Sequence, residues 1–415
     1  MKKIAYLTTT FGALSHTYIR REIAALRSLG LDISLFSIYP EIAEELSQQD
    51  KLLAKEADCL FPLMPKIFHI FYSNIKFAIT KPMFYFKTLQ SVLFNKEKTV
   101  ISSIGLICIF FVSSYMALRL QKKNIVHVHV HFPFVSGAVT MCAARISGIP
   151  YSIAIHSAAS EGRSSVKGMK QQIKYAKFIC FPSRYNIDYY DRVFPSKNKA
   201  YLVRYGIDSE KYAPLVEFSC ANKYDKKMAC LICVGRLVKK KGFSYVIEAC
   251  KYLAEEGVNF RLTIIGEGPR RKELQKQTDA YNLNNRIIFK GACSEAVVKE
   301  ELEESDICIV PSIKDEYGEK EGLPVIIIEA MALGVAVIAT RHSGIPEIVK
   351  HEDTGILVPE KDSMAIVKAI KLFLKDNILR EKCINNARIQ VVKEYNIHEV
   401  AKLKKEIFEA NISNE

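Results

Sequence analysis

Glu321-Gly322-Leu323-Pro324-Val325-Ile326-Ile327-Ile328-Glu329 decides how the rest of this chain reads. Two carboxylates stand eight residues apart, the first on a glycine-containing loop and the second inside an apolar run of helical character. Pro324 suits the first position of that helix, and Gly334, after Ala330-Met331-Ala332-Leu333, suits the residue just past its end. The N–H groups of Gly322 and Leu323 would then lie at a helix N-terminus, where an anion or a sugar hydroxyl can be held. Glu329, about two turns in, would look back toward the same place. A carboxylate among Ile326, Ile327, Ile328 and Ala330 is costly alone, so it needs either a ligand or a buried cation.

Upstream, Gly235-Arg236-Leu237-Val238-Lys239-Lys240-Lys241-Gly242 forms a second strand–loop–helix junction. Arg236 offers a bidentate fork and Lys241 a mobile point charge, a pair suited to the growing negative charge of a departing diphosphate. No Asp-x-Asp metal-binding pair is evident beside these loops, so these side-chain cations would supply the positive charge that a metal would otherwise bring. The plainer alternative is a solvated lysine-rich turn.

Around these junctions, short apolar runs alternate with amphipathic helical stretches, which predicts parallel sheets covered on both faces. In the first half the strands are Lys3–Thr9, Asp32–Ile38, Ile125–His131, Ser152–His156, Phe178–Pro182 and Ala200–Tyr205. In the second they are Cys230–Val234, Arg261–Ile265, Arg286–Lys290, Ile307–Val310, Val335–Ala339 and Ile356–Val358. The expected division is a first Rossmann-like domain over residues 1–205, a linker at 206–227, a second such domain over 228–395, and a final helix at 396–415. Ligands of open parallel sheets bind at the carboxyl ends of strands, so the loops there should hold the chemistry.

Composition narrows the class. The 415-residue chain is long enough for two separate cores and carries a net charge of +14. Between Asp58 and Glu161 the only acidic residue is Glu97, against ten Lys or Arg. A basic surface suggests an anionic partner. Nucleic acid is not expected, because no helix-turn-helix, zinc-finger or single-strand-binding signature accompanies the charge. The interleaved aromatics Phe68, Phe71, Tyr72, Phe77, Phe84, Tyr85, Phe86 and Phe94 fit a membrane-surface segment. They equally fit a helical insertion whose aromatics face the core while its lysines are merely solvated. The apolar stretch Ile101 to Leu118 contains four serines and a glycine, and is expected as a helix packed beneath a sheet rather than a span.

The eleven cysteines are scattered; Cys230 and Cys233 have the spacing of a metal knuckle but fall in one strand, where they point to opposite faces. Reduced thiols and a cytoplasmic location follow. The start Met1-Lys2-Lys3 leads directly into a strand and does not read as a signal peptide. His127, His129 and His131 alternate along one strand; across about 13 Å one metal could not bind all three.

Arg236, Lys241, Glu321 and Glu329, in this order and spacing, together with Ala339-Thr340-Arg341-His342-Ser343-Gly344-Ile345-Pro346-Glu347 and Thr354-Gly355-Ile356-Leu357-Val358-Pro359, resemble the retaining glycosyltransferases of family 4, which have the GT-B fold. The resemblance is strong in the second half and weaker in the first. It implies two Rossmann-like domains facing across a cleft, with the C-terminal helix crossing back to the first. It implies that Glu329 holds the ribose of a UDP- or GDP-sugar, that Glu321 contacts the transferred sugar, and that Gly322, Leu323 and Pro324 line the donor. His156, at the end of its strand, corresponds to a histidine near the donor phosphates, and His131, followed by Phe132, to an acceptor-side residue; plain strand-end histidines are the alternative. The first loop, Thr9 to Tyr18, resembles that of the exopolysaccharide (colanic-acid-type) subgroup, with His16 and Tyr18 in place of its Glu and Phe, and would bring Gly12 and Ser15 to the diphosphate. Ala158-Ala159-Ser160-Glu161 departs from the Asp that many relatives carry there.

The expectation is therefore a cytoplasmic hexosyltransferase, peripheral on the inner face of the cell membrane, working without cofactor or metal on a glycan or lipid-linked acceptor. Rivals on the same fold are a nucleotide-sugar epimerase, which needs acid and base around the sugar, a phosphorylase, which needs a cofactor lysine, and a non-catalytic nucleotide-sugar-binding protein.

Overall fold

The computed structural model describes residues 2–11, 17–40, 48–61, 64–93, 103–156, 164–194, 197–213 and 228–412. The chain divides into two units, each built on its own parallel sheet. The first comprises Met1–Pro182, Asn186–Val203 and Ala401–Glu415; the second comprises Ser183–Tyr185 and Arg204–Val400.

The first unit runs β1 (Lys3–Thr8), α1 (Thr17–Ser28), β2 (Asp32–Ser37), α2 (Gln48–Glu56), β3 (Asp58–Cys59), α3 (Ile67–Thr80), α4 (Pro82–Leu93), α5 (Ser103–Lys122), β4 (Ile125–His131), α6 (Val135–Ser147), β5 (Tyr151–Ala154), α7 (Ser164–Tyr175), β6 (Ile179–Phe181), α8 (Arg184–Val193) and β7 (Ala200–Leu202). Its strand order is β3-β2-β1-β4-β5-β6-β7, every pair parallel. Parallel strands are covered on both faces, which is why β1 is buried from Ile4 to Thr8 without alternation. The two-residue β3 is too short to show a period, and the sequence pattern misses it.

β4 departs from the apolar rule, since His127, His129 and His131 are all buried. The Ser152 hydroxyl of β5 meets both His127 Nε2 and His129 Nδ1 at 2.8 Å, accepting from one ring and donating to the other. Burial pushes His127 down to about 3 and His129 well below its ordinary value, so both rings are neutral.

One helix among the described residues, α5, is long and apolar enough to cross a membrane by length and composition, yet half of that window is buried inside the unit. Phe110, Ser113, Met116, Ala117 and Leu120 are fully enclosed, the position expected of a core helix.

The second unit continues with β8 (Ala229–Val234), α9 (Phe243–Glu255), β9 (Phe260–Ile265), α10 (Arg271–Ala280), β10 (Ile287–Gly291), α11 (Glu295–Glu303), β11 (Ile307–Val310), α12 (Val325–Ala332), β12 (Ala336–Thr340), α13 (Ile345–Ile348), β13 (Ile356–Val358), α14 (Ser363–Lys375) and α15 (Asn377–Glu394). Its sheet has the order β10-β9-β8-β11-β12-β13, again parallel. Phe243, Val246, Ile247, Cys250 and Leu253 form the helical stripe by which α9 enters the core. Asp362 caps α14 by accepting from the Ala365 N–H at 2.8 Å. The ten described cysteines are free thiols, and burial raises Cys142 and Cys308 to about 12.

The last helix, α16 (Ile397–Asn411), supplies Ala401 onward to the first unit. There Lys404, almost fully enclosed, pairs with Glu22, which also accepts from Tyr6 Oη at 3.0 Å. Burial alone would raise the Glu22 carboxyl; Lys404 and then His131 overcome it and hold it far below the carboxylate range. Phe408 packs edge-on to His129 at 5.4 Å.

Two sequence expectations change at this level. Pro324 is the residue before α12, in an extended conformation (φ −66°, ψ 122°), so the helix opens at Val325. The N–H groups of Gly322 and Leu323 therefore precede the helix rather than form its N-terminus. Gly334 does lie just past the end, with a left-handed φ of 71°.

Candidate active site

The order of the second sheet reverses at β8, which lies between β9 and β11. Open parallel sheets bind ligands outside the carboxyl ends of strands at such a reversal. The loops leaving β8 and β11 there carry Arg236, Lys240, Lys241 and Glu321.

Glycine makes the first loop possible. Gly242 has φ +69°, and a Cβ on it would lie 1.9 Å from the Pro311 carbonyl oxygen. That close approach sets the turn Lys239–Lys241 directly against the loop after β11, where the Ile313 N–H donates to the Lys240 carbonyl at 2.9 Å. Lys241 Nζ consequently stands 3.4 Å from Glu321 Oε2, and Lys240 Nζ stands 3.8 Å from the same oxygen. Burial would raise the Glu321 carboxyl, but Lys241 first, then Lys240 and Arg236, bring it down to about 2. Glu321 is thus a carboxylate throughout the physiological range. Arg236 is exposed, and its guanidinium makes no ion pair or hydrogen bond among the described residues. Three cations surround one carboxylate, leaving a net positive site.

The loop holding Glu321 is tied down from beneath. The Glu321 N–H donates to His342 Nε2 at 3.1 Å, and His342 Nδ1 lies 2.7 Å from Glu360 Oε1. Since Nε2 must carry a lone pair to accept, the ring is neutral with its proton on Nδ1, donated to Glu360. The second Glu360 oxygen accepts the Lys314 N–H at 2.7 Å, so one carboxylate and one ring fix both ends of the loop. Burial pushes the His342 pKa below its ordinary 6.5 against the pull of Glu360. A folded-state value below the unfolded one gives stability that is complete above 6.5 and fades as pH falls through 6.5 toward the lower value.

His342→Ala is expected to lower kcat about tenfold while donor affinity changes little, because a buried N–H without a partner costs ~1–3 kcal/mol. His342→Gln, which can replace the accepting atom, should recover part of the loss. Equal kcat in wild type and His342→Ala would show that the bracket does not position Glu321.

Glu329 lies in α12, 8% exposed, and close enough to Cys308 of β11 to raise its thiol pKa. Ser312 Oγ and Ser343 Oγ are buried atoms without a hydrogen-bond partner among the described residues, and they sit on the loops after β11 and β12. Native folds rarely leave such atoms unsatisfied, and a polar ligand would engage them.

In the first unit, His156 follows β5 by two residues rather than ending it. Its Nε2 meets His131 Nδ1 at 3.0 Å, and Tyr18 and Phe132 flank its ring at 4.8 and 5.0 Å. His131 Nε2 reaches Glu22 at 3.4 Å, making a Glu22–His131–His156 line of polar groups at the carboxyl ends of β4 and β5. Atoms of Glu22, His129 and His131 lie within 4.8 Å of one another, close enough for a metal. The Lys404 ammonium already contacts the Glu22 carboxylate, so a cation there would meet another cation, and these residues do not fit a metal. Gly12 and Ser15 lie outside the described residues.

The second unit thus brings together Arg236, Lys241 and Glu321 as the sequence spacing anticipates, and adds Lys240, His342 and Glu360. Lys240 was hidden in a run of three lysines. His342 was within the quoted Ala339–Glu347 stretch, but nothing local marks its partner.

This arrangement is a cluster of cations around one carboxylate at the carboxyl ends of β8 and β11, in a chain of two Rossmann-like parallel-sheet domains with the GT-B architecture. Residues 218–390 match the family described as Glycosyl transferases group 1. The chain is 34% identical over 201 residues to the putative colanic acid biosynthesis glycosyltransferase WcaL of Escherichia coli, covering 48% of each chain. It spans about half the length of the first such relatives it matches. It is 28% identical over 308 residues to the Escherichia coli UDP-Gal:alpha-D-GlcNAc-diphosphoundecaprenol alpha-1,3-galactosyltransferase, covering 69% of this chain and 75% of that one. Among solved structures, HepE of Anabaena in complex with UDP superposes with a TM-score of 0.71 at 16% identity, covering 99% of this chain and 100% of that one.

Proposed function

We propose that the protein is a retaining family-4 glycosyltransferase that moves a hexose from a UDP- or GDP-sugar to a glycan or lipid-linked oligosaccharide in bacterial surface-polysaccharide synthesis. It works from the cytoplasmic side, peripheral to the membrane, and without a metal. The observation that supports it most is Glu321 held ionised beneath Lys240, Lys241 and Arg236 at the carboxyl ends of β8 and β11. A carboxylate suits sugar hydroxyls, and the surplus positive charge suits a diphosphate.

Lys241 and Arg236 stabilise the charge that grows on the departing diphosphate as the bond from the anomeric carbon to its phosphate oxygen breaks. The acceptor hydroxyl oxygen bonds to the same face of that carbon, and its proton passes to the leaving phosphate oxygen. No further carboxylate is needed as a nucleophile, in contrast to retaining glycosidases. Glu329 holds the nucleotide ribose, His156 stands near the donor phosphates and the reacting sugar, and His131 serves the acceptor side. The names of the relatives support the acceptor class: one acts on a diphosphoundecaprenol-linked sugar, another is assigned to colanic acid.

Thermal unfolding in the presence of UDP-, GDP- and other nucleotide-sugars identifies the donor, since a ligand of the folded state raises Tm. Turnover with that donor should survive EDTA. A loss on chelation restored by magnesium or manganese would count against side-chain cations in the role of a metal. Release of free epimer without an acceptor would favour an epimerase instead.

A further inference from the structure

Helices α3 and α4 turn most of their large apolar side chains outward. α3 exposes Phe68 (83% exposed), Phe71, Tyr72, Ile75 and Ile79 while burying Ser73, Asn74 and Phe77. α4 exposes Met83, Phe84 and Phe86 while burying Tyr85 and Thr88. The inward polar groups are satisfied, which locks this orientation. Asn74 Nδ2 donates to the carbonyls of Ile70 and Phe111 at 2.7 and 3.1 Å, and Tyr85 Oη donates to Asn74 Oδ1 at 3.0 Å. Turning the helices over would strand those groups, so Phe68, Phe71, Tyr72, Phe84 and Phe86 stay outside. On α5, against which both helices pack, Ile104 (76% exposed), Cys108 and Phe111 form an outward stripe of their own.

Soluble surfaces rarely carry apolar patches of this extent without something to cover them. Charge selects what that is. Residues 59–93 contain no Asp or Glu, and their four lysines are Lys66, Lys76, Lys81 and Lys87. Lys66 and Lys81 are tied to the carbonyls of Cys59 and Ser147, while Lys87 is exposed without an ion pair among the described residues and Lys76 is half-buried beside Phe77. An anionic bilayer offers acyl chains to the aromatics and phosphates to the ammonium groups. With 14 and 12 residues, α3 and α4 are shorter than the ~20 residues a span needs.

We propose that the α3–α4 hairpin, with the outward stripe of α5, is a lipid-docking surface. Its aromatic side chains enter the boundary between headgroups and acyl chains, and Lys76 and Lys87 pair with anionic headgroups. The inference draws on the transferase reading only for its purpose, which is to hold the enzyme beside a lipid-linked acceptor; lipid binding itself is independent of that reading.

Co-sedimentation of the full chain with phosphatidylcholine vesicles, with and without phosphatidylglycerol, tests it. The wild type should bind the anionic vesicles, lose part of that binding as salt rises, and keep a salt-resistant remainder. K76E with K87E should weaken anionic binding about tenfold or more, at ~1 kcal/mol per lysine removed. F68S with F71S, both exposed and so compatible with folding, should abolish the salt-resistant part. Failure of the wild type to bind either vesicle, or binding unchanged in both variants, overturns the proposal. So does a wild-type dimer, seen by light scattering, that F68S with F71S dissociates in the absence of any lipid binding. Nucleotide-sugar thermal shift should be the same in all these proteins; vesicle binding without any such shift would refute the transferase and leave the docking surface standing.

Discussion

Replacing Lys241 by alanine is expected to cut kcat about 10²-fold or more, and Arg236→Ala should do the same, the scale lost with one preorganised transition-state donor. Lys241 Nζ is held 3.4 Å from Glu321 by a turn that only Gly242, wedged against Pro311, permits. In the proposed reaction its charge is therefore in place before the diphosphate begins to leave. Two effects combine in the Lys241 variant: a donor to the leaving group is lost, and Glu321, deprived of its first counter-charge, rises from about 2 toward the ordinary carboxyl range. Activity of Lys241→Ala should thus acquire an acid limb at higher pH than that of the wild type. Arg236 is exposed and further from the carboxylate, so Arg236→Ala should lose rate with little change in the profile. Initial rates at saturating donor across pH distinguish the two, and unaltered rates in both would remove the cations from the chemistry.

The two glutamates should separate by what they damage. Glu329→Ala is expected to raise the donor Kd about 10-fold to 10²-fold, because a hydrogen bond to a charged group is worth ~1.5–3 kcal/mol. Glu321→Gln should leave Kd nearly unchanged and lower kcat about 10²-fold, since its interactions matter at the reacting sugar. Glutamine keeps the shape and the backbone bond to His342 but drops the charge that three cations surround. Titration of each variant with UDP- or GDP-sugar, beside single-turnover rates, gives both quantities. Unchanged Kd and rate in both variants would end the assignment of the pair.

Both halves of the fold were legible because parallel strands buried on two faces read as continuous apolar runs. β4, β11 and β13 match their expected limits, and the other expected strands lie within two residues at each end except β7, which ends at Leu202, three residues before the expected Tyr205. β3 escaped, having two residues and no period. The site was legible as far as its members lie close along the chain: Gly235 to Gly242 is one loop, and Glu321 to Glu329 is one loop and helix. The Glu321 bracket was not, because His342 and Glu360 follow at distances of 21 and 18 residues and meet only through the β11-β12-β13 order of the sheet. The same holds for Lys404, which finds Glu22 across 382 residues.

The sequence by itself determined the class of sheet, the identity of the charged groups at the loops, and the acid-free, aromatic composition of residues 59–93. These depend on residue type and local period, which are properties of neighbours along the chain. Only the tertiary structure decided that Glu321 stays ionised near a pKa of about 2, since that follows from ammonium groups brought within 4 Å by a separate loop. It also decided which way the aromatics of α3 and α4 point. Their composition allowed a core-facing or an outward face; Phe77 and Tyr85 face inward, and the hydrogen bonds of Asn74 and Tyr85 leave Phe68, Phe71, Tyr72, Phe84 and Phe86 outside.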